Sequence, residues 1–210
     1  MIDVIDSQPK PKAAILRSMF EARKRVFVDL LQWDVPVLEG RYEIDQFDDE
    51  NAVYIVLVDP TGAHLGSARL LATSGPHILA DLFAQLCDSD VPRGPDIREI
   101  TRFCLDRRLR AVERRHVRNQ LVTALAEYAL ANGISRYTCV AERSWLDQIL
   151  RFGWRCKLLG HPLNQGNALS ALAIEIDDDT PSLLADAGVF ELPAAHMIER
   201  RALDFREVVS

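Results

Sequence analysis

Apolar positions along the chain follow two periodicities. From 13 to 32 they recur at three- and four-residue steps (Ile15, Met19, Ala22, Val26, Leu30), the spacing of one helical face. Arg17, Arg23, Lys24 and Arg25 lie between them, and Phe27 and Trp33 add large aromatics near the end of the run. Asp34-Val35-Pro36 and Glu39-Gly40 predict a loop. Residues 53–58 form a nearly unbroken apolar run, as expected of a strand covered on both faces. The turn Asp59-Pro60-Thr61-Gly62 sends it back as a second strand over 65–71, in which Arg69 is lodged among apolar neighbours. After Gly75-Pro76, Leu79, Leu82, Phe83 and Leu86 repeat at helical spacing, and Pro92, Gly94 and Pro95 close a loop.

Residues 97–106 are β-branched and aromatic enough to predict a strand. An apolar stripe through Val117, Leu121, Ala124, Leu125, Tyr128 and Ala129 predicts a helix stopped by Asn132-Gly133. Strand patterns follow at 134–140, 155–159 and 168–176, with a helix through Trp145, Ile149, Leu150 and Phe152 between the first two. The last two strands are joined through His161-Pro162-Leu163-Asn164-Gln165-Gly166. The tail, with Pro181, Pro193 and a helical 198–205, is expected to pack on the outside. No repeat or linker divides the chain. The order predicts one α/β domain over 1–210 with a mixed central sheet.

The strand at 97–106 carries Arg98, Glu99 and Arg102 in apolar company. On a regular strand, side chains alternate, so Glu99 and Arg102 would point to opposite faces. Two readings stand side by side: a bulge near Thr101 that turns both charges to one side, or an edge strand with three solvated charges. A second anomaly is the acidic segment over 43–50, Glu-Ile-Asp-Gln-Phe-Asp-Asp-Glu. Ile44 and Phe47 interrupt it as though some carboxylates were held near a core.

Composition narrows the class. With 48% apolar and 27% charged residues, the chain reads as a soluble globular protein. No apolar run approaches the roughly 20 residues of a membrane span, and the start lacks a signal-peptide pattern, so a cytoplasmic protein that does not engage membranes is expected. Four cysteines without a Cys-x-x-Cys pair, and isolated histidines, predict reduced thiols and no metal centre. A net charge of −6 argues against nucleic acid as a partner. Residues 106–118 nevertheless gather six arginines against two acids, a pattern that fits either a solvated helix start or a landing patch for an anionic partner.

Taken together, Arg23-x-x-x-Phe27, Trp33, Asp45-x-x-Asp48, Arg69-Leu70-Leu71, Phe83 and Glu99-Ile100-Thr101-Arg102-Phe103 resemble the acyl-homoserine-lactone synthases, the autoinducer synthases of bacterial quorum sensing. The likeness runs through 23–103, and the Phe152-Gly153-Trp154 turn extends it; Ala72 stands where the family often has proline. It implies a three-layer α-β-α sandwich similar to the acetyl-CoA-dependent N-acyltransferases, with a mobile N-terminal region over about 1–50. It implies an enzyme that moves an acyl group from acyl carrier protein or acyl-CoA to the amine of S-adenosylmethionine, then closes the lactone. S-adenosylmethionine is then a substrate, and no cofactor is required.

The resemblance also assigns residues. Glu99, Thr101 and Arg102 form the catalytic set. Arg23, Phe27, Trp33, Asp45, Asp48 and Arg69 take S-adenosylmethionine, with Phe27 and Trp33 as an aromatic lid, although by themselves these rings read as core. Phe83, Phe103, Leu105, Leu125, Ala141 and Trp145 line the acyl pocket; Ala141 stands in place of a threonine linked in the family to 3-oxo chains, which implies an unsubstituted acyl group. Charge rather than the resemblance suggests where an acidic carrier docks: Arg108, Arg110, Arg114, Arg115 and Arg118, or a second cluster of Arg151, Arg155 and Lys157. The alternatives are an ordinary acetyl-CoA N-acyltransferase and a non-catalytic small-molecule-binding domain. The first is disfavoured because no glycine lies between Gly94 and Gly133 to build a pyrophosphate loop; the second has no use for Glu99 beside arginines.

Overall fold

The computed structural model describes residues 12–161 and 169–192, together with the backbone of 195–199. The first helix, α1 (Lys12–Arg23), buries Ile15, Leu16, Met19 and Phe20, and passes into a π-helical turn over Lys24–Val28. Two short strands, β1 (Val37–Leu38) and β2 (Tyr42–Glu43), pair antiparallel in the stretch expected to be loop. Then come β3 (Val53–Val58), β4 (His64–Ala72), α2 (Ile78–Leu82), β5 (Ile97–Leu105), α3 (Ala111–Ala131) and β6 (Arg136–Glu142). The remainder is α4 (Arg143–Ile149), β7 (Arg155–Leu158), β8 (Leu169–Glu175), α5 (Thr180–Asp186) and β9 (Ala195–Glu199). The architecture is mixed α/β, as the alternation of patterns predicts.

Contacts divide the chain into two compact units, with boundaries inside β4, β5 and α3 and after residue 192. In the first unit, α1, the π turn, β1 and β2 accompany β3, His64 to Arg69 of β4, Arg102 to Leu105 of β5 and the start of α3. β3 and β4 form the predicted hairpin, closed at Asp59 and Ala63 by a 2.9 Å backbone bond. The outer neighbour of β3 is β9, antiparallel, with Val53 opposite Glu199 and Leu57 opposite Ala195. The helix expected over 198–205 is therefore replaced by a strand through 199, and residues 200–205 lie outside the described residues. The reason is β3 itself: a strand whose second edge is open offers a row of backbone groups that another strand satisfies.

The second unit carries the rest of β4 and β5, α2, most of α3, β6, α4, β7, β8 and α5. Its strands run β7-β8-β6-β5-β4. β5 and β6 are parallel, from Ile97–Arg136 to Glu99–Thr138, whereas β8 is antiparallel to both β6 and β7. β5 thus has a neighbour on each side, which removes the edge-strand reading of its charges. The segment after β8 was expected on the outside, yet Thr180, Leu184 and Val189 are buried; Pro181 opens α5 rather than a peripheral turn. Gly153 has φ +98°, and a Cβ there would stand 2.5 Å from the Leu183 carbonyl oxygen and 2.7 Å from the Ala187 Cβ, so the turn beside Phe152 and Trp154 requires glycine. The joining segment 162–166 lies outside the described residues.

Behind α1, the core of the first unit holds a histidine. His64 is buried, its Nε2 lies 2.9 Å from Ser67 Oγ, and its Nδ1 has no partner. Burial is the main cause that pushes this imidazole down from 6.5 to about 3; Asp106 opposes the shift, and Arg25 and Arg108 reinforce it. A neutral buried histidine favours the fold fully above pH 6.5 and less as pH falls towards 3, because only the unfolded chain takes up the proton. Its contribution should decline by about 1.4 kcal/mol per pH unit in that window. Urea unfolding at pH 7 and 5.5 checks this: His64→Leu should show the shallower loss, and equal slopes would refute it.

Candidate functional site

The charged residues of α1, β2, β4, β5 and the loop after β2 converge in the first unit. Arg23, Glu43, Arg102, Asp45, Arg69 and Asp48 alternate in sign around a closed ring. Arg23 donates through Nε to Glu43 Oε2, and through Nη1 and Nη2 to Asp48 at 2.8 and 2.9 Å. Arg102 donates to Glu43 Oε1 at 3.0 Å through both Nε and Nη2, and to Asp45 Oδ2 at 2.7 Å. Arg69 forks onto Asp45 at 2.6 and 3.0 Å and reaches Asp48 Oδ1 at 2.8 Å, which closes the ring. The Tyr54 hydroxyl donates to Asp48 Oδ1 at 2.8 Å, and the backbone N–H of Asp45 to Asp48 Oδ2 at 2.9 Å.

Three guanidiniums balance three carboxylates, so the cluster is neutral even though most of it is out of water. An unbalanced charge in such a place would be very costly. Burial raises the Asp48 carboxyl and lowers the Arg23 guanidinium, but the opposing charges win: Asp48 is held well below the usual carboxylate range by Arg23 and Arg69, and Arg23 is raised by Asp48 and Glu43. Arg69 is raised in the same way, with Asp48 overcoming burial. Side-chain exposure is at most 1% for Arg23, Glu43, Asp48 and Arg69, but 5% for Asp45 and 10% for Arg102. The ring therefore presents one open edge, a cation beside an anion.

That edge carries the aromatic pair. Phe27, on the π turn, stacks on Trp33 at 4.8 Å and 22°, and the Arg102 guanidinium sits 5.6 Å from one ring centroid and 5.9 Å from the other. A π turn inserts an extra residue into the helical repeat and re-aims the side chains that follow it. The rings thus offer their faces to a cation, here Arg102. Arg102 has φ +50°, a left-handed backbone inside a strand that costs about 1–2 kcal/mol for a non-glycine residue. The break in regular geometry thus falls at Arg102, near Thr101, where one of the two readings put a bulge.

In the second unit, Glu99 is fully buried on β5 and accepts the backbone N–H of Leu79, in α2, at 2.9 Å through Oε1. Thr101 is buried. Phe83, half-buried, packs with Val140 and Leu169 against Leu79, Leu86 and Ala171. Trp145 meets Phe152 edge to face at 6.0 Å; Leu125 and Ala141 are buried. The other two acyl-pocket candidates lie in the first unit, Leu105 buried and Phe103 half-buried.

The basic residues are less uniform than their sequence suggests. Arg115 is exposed, Arg114 donates to the Asp106 carbonyl at 3.3 Å, and Arg118 holds Asn119 Oδ1 at 2.8 Å. Arg151 is exposed, whereas Arg155 is paired with Asp177 and Asp179, and Lys157 with Glu175. Among the described residues, no three His, Cys, Asp or Glu side chains are placed to hold a metal ion, and no helix is long and apolar enough to cross a membrane.

One ring member, Glu43, and one residue bonded to the ring, Tyr54, escaped the sequence reading. Glu43 lies two residues before Asp45 in a segment already marked by its apolar interruptions, and that interruption was its only signal. Tyr54 looked like one more apolar strand residue.

Comparison with known proteins finds relatives over most of the chain. The autoinducer synthase family model matches residues 7–184. An acyl-homoserine-lactone synthase of Ralstonia nicotianae is 31% identical over 187 residues, covering 86% of this chain and 91% of that protein. BjaI, a CoA-dependent acyl-homoserine lactone synthase solved with SAM and isopentyl-CoA, superimposes with a TM-score of 0.75 at 26% identity over 93% of this chain and 92% of its own. A more distant likeness, a putative N-acetyltransferase from Lactobacillus plantarum (TM-score 0.52, 16% identity, covering 80% of this chain and 94% of that one), shares the fold alone. The chain belongs to the autoinducer synthase family.

Proposed function

We propose that this protein is an acyl-homoserine-lactone synthase: it transfers an acyl group from acyl carrier protein or acyl-CoA to the α-amine of S-adenosylmethionine and then closes the lactone, releasing methylthioadenosine, as a cytoplasmic enzyme of quorum-sensing signal synthesis. The observation that carries this reading is the open edge of the ionic ring under the stacked Phe27 and Trp33. S-adenosylmethionine presents a carboxylate, an ammonium and a sulfonium. Arg102 matches the first, Asp45 the second, and the aromatic faces suit an onium group. Arg23, Asp48 and Arg69, tied to one another, hold that edge rigid.

The chemistry divides into two steps. Glu99 takes a proton from the amine, directly or through water, and the free amine attacks the thioester. A C–N bond forms, the C–S bond breaks and the thiol carrier leaves with a proton. Backbone N–H groups of β5 around Thr101, near the break at Arg102, serve the tetrahedral oxyanion. The substrate carboxylate then attacks its own γ-carbon and expels neutral methylthioadenosine, a step governed by how the chain is folded on the enzyme. Phe83 and Trp145, with Leu125 and Ala141, are assigned to the acyl chain, together with Phe103 and Leu105.

The test uses purified protein with S-adenosylmethionine and a series of acyl-CoA and acyl-carrier substrates. Mass spectrometry should find an acyl-homoserine lactone and methylthioadenosine in equal amounts; failure with every donor of both kinds would overturn the reading. For carrier docking, the first cluster is favoured, because Arg155 is already paired with carboxylates. Arg115→Glu should raise the KM for acyl carrier protein about tenfold and leave that for S-adenosylmethionine unchanged. Equal changes for both substrates would exclude docking as its role.

A further inference from the structure

Beside Glu99, on the neighbouring strand, stands a buried hydroxyl with no partner. Thr138 of β6 is fully buried, and its Oγ1 makes no hydrogen bond. It is the parallel partner of Glu99 in the β5–β6 ladder, the last pair of that register. In-register residues on adjacent strands lie about 4.8 Å apart and point to the same face. The contents of that face are fixed by two contacts: Glu99 accepts the Leu79 N–H, and Val140, two residues along β6 from Thr138, packs on Leu79 with Phe83. The opposite face takes Tyr137, whose hydroxyl donates to the Leu125 carbonyl in α3 at 2.9 Å.

An orphan hydroxyl in such surroundings is unfavourable, since a threonine that finds no hydrogen bond gives up those it would make with water. Valine has nearly the same shape and would fill the place without that loss. A threonine costs the free fold something there and becomes favourable only when a further polar group arrives. Glu99 and Thr138 together supply the acceptors and the donor that a small hydrogen-bonding molecule needs in a buried place.

We propose that Thr138 is a positioning residue for Glu99: its hydroxyl holds, against that carboxylate, the group that delivers the proton, either the substrate amine itself or the water through which the amine is deprotonated. The inference rests on Glu99 being the base. Thr138 fixes the direction of approach, and the hydroxyl hydrogen turns to whichever lone pair is present. Burial, with Cys156 and Glu99 adding to it, holds the Cys139 thiol above its ordinary value and therefore neutral.

Thr138→Val and Thr138→Ser, with Glu99→Gln as reference, test this. Thr138→Val should fold with an unchanged or higher Tm, lose about tenfold in kcat, worth about 1.4 kcal/mol, and keep its KM for S-adenosylmethionine. Thr138→Ser, which keeps the hydroxyl, should stay within about twofold of wild type. The acidic limb of the kcat profile should move to higher pH in Thr138→Val, because removing a donor that reaches the carboxylate through the held group destabilises its charged form. A solvent isotope effect on kcat that rises in Thr138→Val would identify water as the held group, and an unchanged one the amine; both agree with the positioning role. Wild-type kcat and an unmoved limb in Thr138→Val, with Glu99→Gln inactive, would overturn the role of Thr138 and leave Glu99 as the base. An active Glu99→Gln would instead remove the premise.

Discussion

Glu99→Gln should give a folded protein whose rate of lactone formation is lower by at least about a hundredfold, the usual worth of a positioned general base. Glutamine keeps the volume of the side chain, and its carbonyl oxygen can still accept the Leu79 N–H that Glu99 Oε1 accepts at 2.9 Å. It lacks only a carboxylate that can take a proton from an ammonium whose pKa is roughly 8. Circular dichroism and thermal melting should therefore match wild type while initial rates collapse. A variant that melts normally and keeps more than about a tenth of the activity would leave the family assignment standing but remove Glu99 as the base.

The second large effect is on stability. Asp48 accepts both Nη groups of Arg23, lies 2.8 Å from Arg69, and takes the Tyr54 hydroxyl as well. Asp48→Asn keeps the shape but leaves three guanidiniums facing two carboxylates in place of three. Removing one partner of a buried charged pair costs about 3–5 kcal/mol, which for a chain of this length lowers Tm on the order of 10 °C. The pH dependence follows from the depressed carboxyl. Its stabilising contribution is complete above the ordinary aspartate value of 3.8, declines below it because only the unfolded chain takes up the proton, and is gone once the pH reaches the lower value of the folded state. Wild type should accordingly hold its advantage over Asp48→Asn from pH 7 down to about pH 4, as measured by urea midpoints. A gap that closes already between pH 6 and 5 would show that the ring is not the source.

These two residues also mark how far the sequence could be read. Periodicity found most of the strands and helices within a few residues, because β3, β4, β5 and α3 are each long and consistently patterned. It missed β1 and β2, whose two residues apiece carry no periodic signal, and it misread β9, whose pairing is decided by the open edge of β3 rather than by its own composition. Charges in apolar company were the most informative feature. Arg69, Glu99 and Arg102 each stood out because a buried charge demands a partner, whereas Arg23 was singled out only by the family resemblance.

Who partners whom was settled only by tertiary structure. Residues 20 to 59 positions apart close the ionic ring, and nothing local to Tyr54 could announce its bond to Asp48. The edge-strand and bulge readings of β5 were equally good until its neighbours on both sides were known. The chain by itself dictated which side chains are too expensive to bury alone. Their choice of partners, the single exposed edge at Arg102 and Asp45, and the pairing of Glu99 with Thr138 came from the fold, because a charge or a hydroxyl is satisfied in space and not along the chain.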